Sequence, residues 1–120
     1  AIPTLTLGAE VADVVPVTVD ILNIDGADII RTQRCIARVY KADMTQDVAA
    51  FRLSGGAGAT EISTTDQATL MFDTGGSGDA IINVEDVAGA SGLTVFLEIT
   101  PLCSSGTTPG FSRVVAVGFD

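Results

Sequence analysis

The sequence predicts an all-β sandwich of roughly seven to eight short strands. Three observations carry this. From Val14 to Phe119 the chain runs as short β-branched stretches separated by Gly, Ser and Asp turns. Within those stretches apolar residues recur with period two, the signature of a strand with one buried face. Hardly any stretch shows helical periodicity; only Met44–Phe51 could make a single helical turn.

The elements follow in order. Residues 1–13 read as an extended N-terminal arm: Pro3 opposes helix, and Thr4-Leu5-Thr6-Leu7 alternates before Gly8. A domain of residues 14–120 follows. Its first strand covers about Val14–Ile24, with Val15, Val17, Val19 and Ile21 on one face. Pro16 cannot donate to a ladder, so this strand is expected to lie at a sheet edge or to begin there. Asn23-Ile24-Asp25-Gly26 is a turn. The next strand, about Thr32–Tyr40, sends Cys35, Ala37 and Val39 one way and Arg34, Ile36, Arg38 and Tyr40 the other. A loop at Lys41–Gln46 leads to a weaker strand at Val48–Leu53. Ser54–Gly58 reads as a surface loop and Glu61–Ser63 as a short strand. Ala68–Asp73 and Ala80–Asp86 flank a Gly-rich turn. Leu93–Thr100 is the most strand-like run, with Val95, Leu97 and Ile99 inward. A long turn at Pro101–Gly110 precedes the closing strand Phe111–Phe119.

Composition narrows the function. The 120 residues make one domain, 47% hydrophobic with a mean hydropathy of +0.46. That apolar excess fits either a core of small side chains or burial between subunits. A net charge of −9 argues against nucleic acid, which requires clustered Lys and Arg, and against anionic membranes. No apolar run is long enough for a transmembrane helix, and no signal peptide is visible; a start at Ala1 fits a removed Met or a trimmed precursor. Charge is uneven: residues 31–52 hold five of the six bases, Arg31, Arg34, Arg38, Lys41 and Arg52. Ordinary solvated faces explain this, as does a basic strand meeting a neighbour's acidic edge.

Tools of catalysis are scarce. There is no His and no Trp, one Tyr and one Lys. The serines have no evident base, so a nucleophilic triad is not expected. Glu85 and Asp86 are adjacent and point to opposite faces of a strand, which does not suit a glycosidase pair. The Asn23–Asp28 run lacks the spacing of a calcium loop, and Asp73 with Asp79 is a weak cation pair. The Gly runs at 54–58 and 74–78 lack the Gly-Lys-Ser/Thr of a phosphate cradle. Cys35 and Cys103 could bridge two sheets or stand as buried thiols, and without His they make no zinc site. No catalytic, metal or cofactor residue is therefore expected, and no small-molecule substrate. In the last strand both faces are apolar, with Val114 and Ala116 opposite Val115 and Val117. That fits an interface or a covered central strand.

Several runs resemble a known group. Gly8-Ala9-Glu10-Val11-Ala12-Asp13-Val14, Val17-Thr18-Val19, Asp25-Gly26 and Arg38-Val39-Tyr40 running into Asp43 resemble small Ig-like virion proteins of tailed bacteriophages. Leu70-Met71-Phe72-Asp73, Ile82-Asn83-Val84-Glu85-Asp86, Thr94-Val95-Phe96-Leu97-Glu98-Ile99 and the closing Val115–Phe119 are similar to that group's later strands. The chain departs at Tyr40-Lys41-Ala42-Asp43, where the group usually has an aromatic-Leu-Ser-Asp run, and in its cysteines and its long Pro101–Gly110 turn. The resemblance implies an Ig-like sandwich and a non-enzymatic capsid decoration (cement) protein. Such a protein would bind the major capsid protein on the shell exterior and copies of itself, in clusters such as trimers, after assembly in the host cytoplasm. The rival reading is an adhesion or tail-fibre module that binds host glycans or proteins through Lys41–Gln46 and Ser54–Thr60. Interface candidates are Ile2, Leu5, Leu7 and Val11 of the arm, Arg34, Arg38 and Tyr40 of the basic strand, and Phe111, Arg113 and Phe119 of the last strand.

Overall fold

A computed structural model describes residues 3–21, 34–41, 50–55, 57–63, 67–74, 79–87, 94–102 and 112–120. They form nine strands: β1 (Thr4–Leu7), β2 (Val14–Asp20), β3 (Arg34–Tyr40), β4 (Phe51–Gly55), β5 (Ala57–Ser63), β6 (Gln67–Asp73), β7 (Asp79–Asp86), β8 (Thr94–Pro101) and β9 (Arg113–Gly118). No helix occurs among the described residues. The strands make two antiparallel sheets packed together: sheet A in the order β1-β2-β7-β4, sheet B in the order β5-β6-β3-β8-β9.

Period-two alternation does what it predicts. Val15, Val17, Val19 and Ile21 are buried from sheet A, and Cys35, Ala37, Val39, Leu70, Phe72, Val95, Leu97 and Ile99 from sheet B. Phe51 and Leu53 of β4 and Ile82 and Val84 of β7 complete the inner layer. Each buried Val, Leu, Ile or Phe side chain among them stabilises the sandwich by roughly 1.5–3 kcal/mol relative to exposure. Burial pushes the Cys35 thiol, with Asp73 nearby, up to about 12. Cys103 lies outside the described residues, as do Asn23–Asp28 and all of Lys41–Gln46 except Lys41.

The structure corrects four expectations. The extended segment before residue 14 is not a separate arm: Thr4–Leu7 is β1, paired with Val17–Asp20 of β2. A tight turn at Ala12-Asp13 joins the two halves of this hairpin, with both φ positive (50° and 65°) and reciprocal Val11–Val14 backbone hydrogen bonds of 2.9 and 3.0 Å. The boundary expected at residue 14 therefore falls inside a turn. Secondly, β2 is not an edge strand, because β1 and β7 flank it. Pro16 is tolerated because its N and C=O face the β1 side, where its carbonyl accepts from Gly8 N (2.7 Å) just beyond the last β1 pair. The β7 ladder thus loses nothing. Thirdly, the segment expected as a loop, Ser54–Gly58, holds strand at both ends: β4 runs to Gly55 in sheet A and β5 starts at Ala57 in sheet B, so the chain turns the corner between sheets after Gly55. Finally, β1 brings the strands among the described residues to nine, and β5 is longer than the Glu61–Ser63 expected.

Candidate docking surface

Strand parity decides what sheet B shows to solvent. With Cys35, Ala37 and Val39 inward, β3 turns Arg34, Ile36, Arg38 and Tyr40 outward. Register then sets their neighbours. Arg38 stands between Thr69 of β6 and Glu98 of β8, Tyr40 between Gln67 and Phe96, and Ile36 between Met71 and Thr100. Beyond these rows lie Ile62 on β5 and Val114 and Ala116 on β9.

Arg38 is the centre of this face. Its Nη2 pairs with Glu98 Oε1 at 3.2 Å, and its Nη1 donates to Gln67 Oε1 at 3.4 Å. Its guanidinium carbon sits 4.4 Å from the centroid of the Tyr40 ring, a cation–π contact. Tyr40 in turn packs on Phe96, ring centroids 5.9 Å apart. At the end of the strand Arg34 forks onto Asp73, with Nε to Oδ1 at 2.9 Å and Nη2 to Oδ2 at 3.2 Å. Around these locked charges sit apolar groups in contact with water: Ile62 is 66% exposed, Val114 44% and Met71 38%. The face is thus apolar, aromatic and balanced in charge, on a chain that carries −9.

The sequence-derived interface candidates divide between two places. Arg34, Arg38 and Tyr40 belong to the sheet B face. Leu5 is half-buried against the core, Leu7 is 42% exposed, and Val11 is exposed beside the hairpin turn. β1, which carries Leu5 and Leu7, comes near β9, which carries exposed Arg113. Phe119 is a correction: it is 4% exposed and packs on Phe51 with centroids 5.5 Å apart, so it belongs to the core. Its position after β9 continues the inward parity of Val115 and Val117. Ile2 and Phe111 lie outside the described residues. The basic segment is also not a free cationic strand. Arg34, Arg38 and Arg52 meet Asp73, Glu98 and Glu85 of the same chain.

Sequence reasoning did not find these cross-strand partners, since they are 39, 33 and more positions apart and only register joins them. Nor did it find two further features. Asp20 and Asp79 stand directly opposite each other at the end of sheet A. Side-chain hydrogen bonding with Asp79 raises the Asp20 pKa above its ordinary value, and burial and the Asp79 charge act in the same direction. Glu61 points inward from β5, where its Oε1 accepts from Leu53 N of β4 at 3.1 Å. It thereby occupies a backbone donor on the sheet A edge.

Asp73, considered above as a cation ligand, is committed to Arg34. Among the described residues no group of three His, Cys, Asp or Glu side chains is placed to hold a metal. Comparison with known proteins finds no matching family model, no matching curated protein and no matching solved structure.

Proposed function

We propose that this chain is a non-enzymatic structural protein of a phage virion, an Ig-like module that binds the exterior of the capsid and stabilises it. The observation that carries the docking part is the sheet B face: exposed Ile62, Met71 and Val114 around an Arg38–Glu98–Tyr40 cluster whose polar groups are already oriented. Preordered charges and aromatic anchors suit protein contact, since little side-chain entropy is lost on binding. The virion part rests on the sequence resemblance described above.

Strand order supports the Ig-like reading. β1-β2-β7-β4 against β9-β8-β3-β6-β5 matches the ABED and GFCC′C″ orders of a variable-type immunoglobulin sandwich. The path of the chain differs: β5 and β6, at the C″ and C′ positions, follow the D-position strand β4 and come in reversed order, so the C–C′, C″–D and D–E connections of a variable domain are replaced.

A shell protein is present in many copies, so modest contacts suffice for retention. The adhesion reading is less favoured because one of its loops, Ser54–Thr60, lies in β4, the corner and β5. The test separates heads from tails and measures which fraction carries the chain and at what copy number. Purified protein is then added to shells that lack it and sedimented. Wild type is expected to travel with shells, while an Ile62→Asp/Met71→Asp double variant with an unchanged circular-dichroism spectrum stays in the supernatant. Recovery with tails alone, or binding to host cells but not shells, overturns the capsid reading.

A further inference from the structure

The four sheet edges are not alike. β1 is only four residues long. β4 has its Leu53 N–H occupied by the inward carboxylate of Glu61. β5 carries a register irregularity between Ala57 and Thr60. Short strands, inward charges and bulges are the devices that keep sheet edges from pairing with other chains. β9 is neither as short as β1 nor bulged, and the only charge sharing the inward parity of its Val115 and Val117 is Arg113, exposed at the strand's first position. Its six residues, Arg113-Val114-Val115-Ala116-Val117-Gly118, keep unbroken register with β8 from Thr94↔Gly118 to Ile99↔Arg113. They contain no Pro, and the single charge stands at the first position. Among the described residues no strand pairs with the other side of β9.

We infer that β9 is a self-pairing edge: two copies of this chain join antiparallel, β9 to β9, about a two-fold axis. Two arguments select a second copy as the occupant. Antiparallel self-pairing is isologous and closes after one contact, so it yields a dimer and not a fibre. The two ends of the strand are also complementary in charge. Arg113 is exposed at the start, and Asp120 lies just past the end, its N–H donating to Glu10 Oε2 at 3.2 Å. Antiparallel pairing brings Arg113 of each copy beside the Glu10–Asp120 end of the other. With Ala116 on the axis, Val114 opposes Gly118 and Arg113 opposes Phe119. The outward positions at the junction are then Val114, Ala116 and Gly118, small enough for the two sheets to continue as one. The joined sheet places both copies' docking faces side by side.

This deepens the proposal above by naming a partner, and the two can fail separately. The full chain is examined by sedimentation velocity over a concentration series in about 0.15 M salt, where charges beyond roughly 8 Å are largely screened. Wild type is expected to be a monomer–dimer mixture. On dimerisation, amide protons of β9 gain protection from hydrogen exchange, which stacking of sheet faces would not produce. Ala116→Lys and Ala116→Glu each place like charges on the axis. Each is expected to weaken association at least about tenfold with the thermal midpoint unchanged at dilutions where wild type is monomeric, and an equimolar mixture of the two recovers association. A wild type that stays monomeric to about 1 mM overturns the inference, as does association indifferent to both variants. A monomer that still sediments with shells leaves the capsid reading standing. A β9-linked dimer that ignores shells leaves the self-pairing standing and overturns the capsid reading.

Discussion

Gly55 is where the chain leaves sheet A for sheet B, and it tolerates no side chain. Its φ is +109°, outside the region that L-residues occupy comfortably. A Cβ built there would run into the Ile81 carbonyl oxygen of β7 and stand 3.3 Å from the carbonyl carbon. The obstacle is backbone, held in place by the β2 and β4 ladders on either side of β7, so it cannot swing away as a side chain would. Backbone strain at such a position is on the order of 1–3 kcal/mol. Displacement of packed neighbours adds about 1–3 kcal/mol. Gly55→Ala is therefore expected to destabilise the domain by about 4 kcal/mol. With an unfolding entropy near 2.1 cal/mol/K per residue, each kcal/mol moves the midpoint of a domain this size by ~4 °C, so Tm should fall by about 15 °C. Thermal and urea unfolding followed by circular dichroism measure this. Gly118→Ala is the control, because its Cβ would lie at an ordinary 3.7 Å from Thr94 Oγ1. That variant should stay within about 1 kcal/mol of wild type. A Gly55→Ala protein as stable as the Gly118→Ala control would refute the corner geometry.

Three further outcomes follow from the structure. Asp20 has a raised pKa, so its proton is held more tightly in the folded state. The unfavourable carboxylate pairing with Asp79 is felt above that pKa and is relieved as pH falls through it. Asp20→Asn should therefore have a higher Tm than wild type at neutral pH, with the gap closing as acid is added; a gap that widens in acid contradicts the sign. Ala12 sits at φ 50° in the hairpin turn, where Asn is tolerated far better. Ala12→Asn should add about 0.5–1 kcal/mol in urea unfolding, and an unmoved or lower urea midpoint would speak against a left-handed residue there. The Arg34–Asp73 fork is partly exposed at 47% and 23%. A double-mutant cycle should give a coupling of about 0.5–1 kcal/mol that shrinks with added salt, and a coupling of several kcal/mol would mean the pair is far less solvated than its geometry implies.

The N-terminal segment shows how a correct local reading can mislead about role. Alternation in Thr4–Leu7 marked an extended segment, and extended it is. Whether such a segment reaches for a neighbour or folds back depends on the turn at Ala12-Asp13, where Asp13 suits a positive φ and Ala12 does not. Pro16 misled in the same way. Its missing donor excludes a central strand only if the empty site faces a ladder, and the direction in which it faces is set by register.

Periodicity was sufficient to read the sandwich class, the inward rows on β2, β3 and β8, and the outward set Arg34–Ile36–Arg38–Tyr40, because alternation is a property of the chain itself and needs no partner. It could not say that Arg38 meets Glu98, that Asp20 confronts Asp79, that Glu61 occupies an edge donor, or that no strand among the described residues lies on one side of β9. Those depend on which strands lie side by side and in what register. Neighbours in a sheet are chosen by the packing of the whole inner layer, across dozens of intervening residues, and so they exist only once the chain has closed on itself.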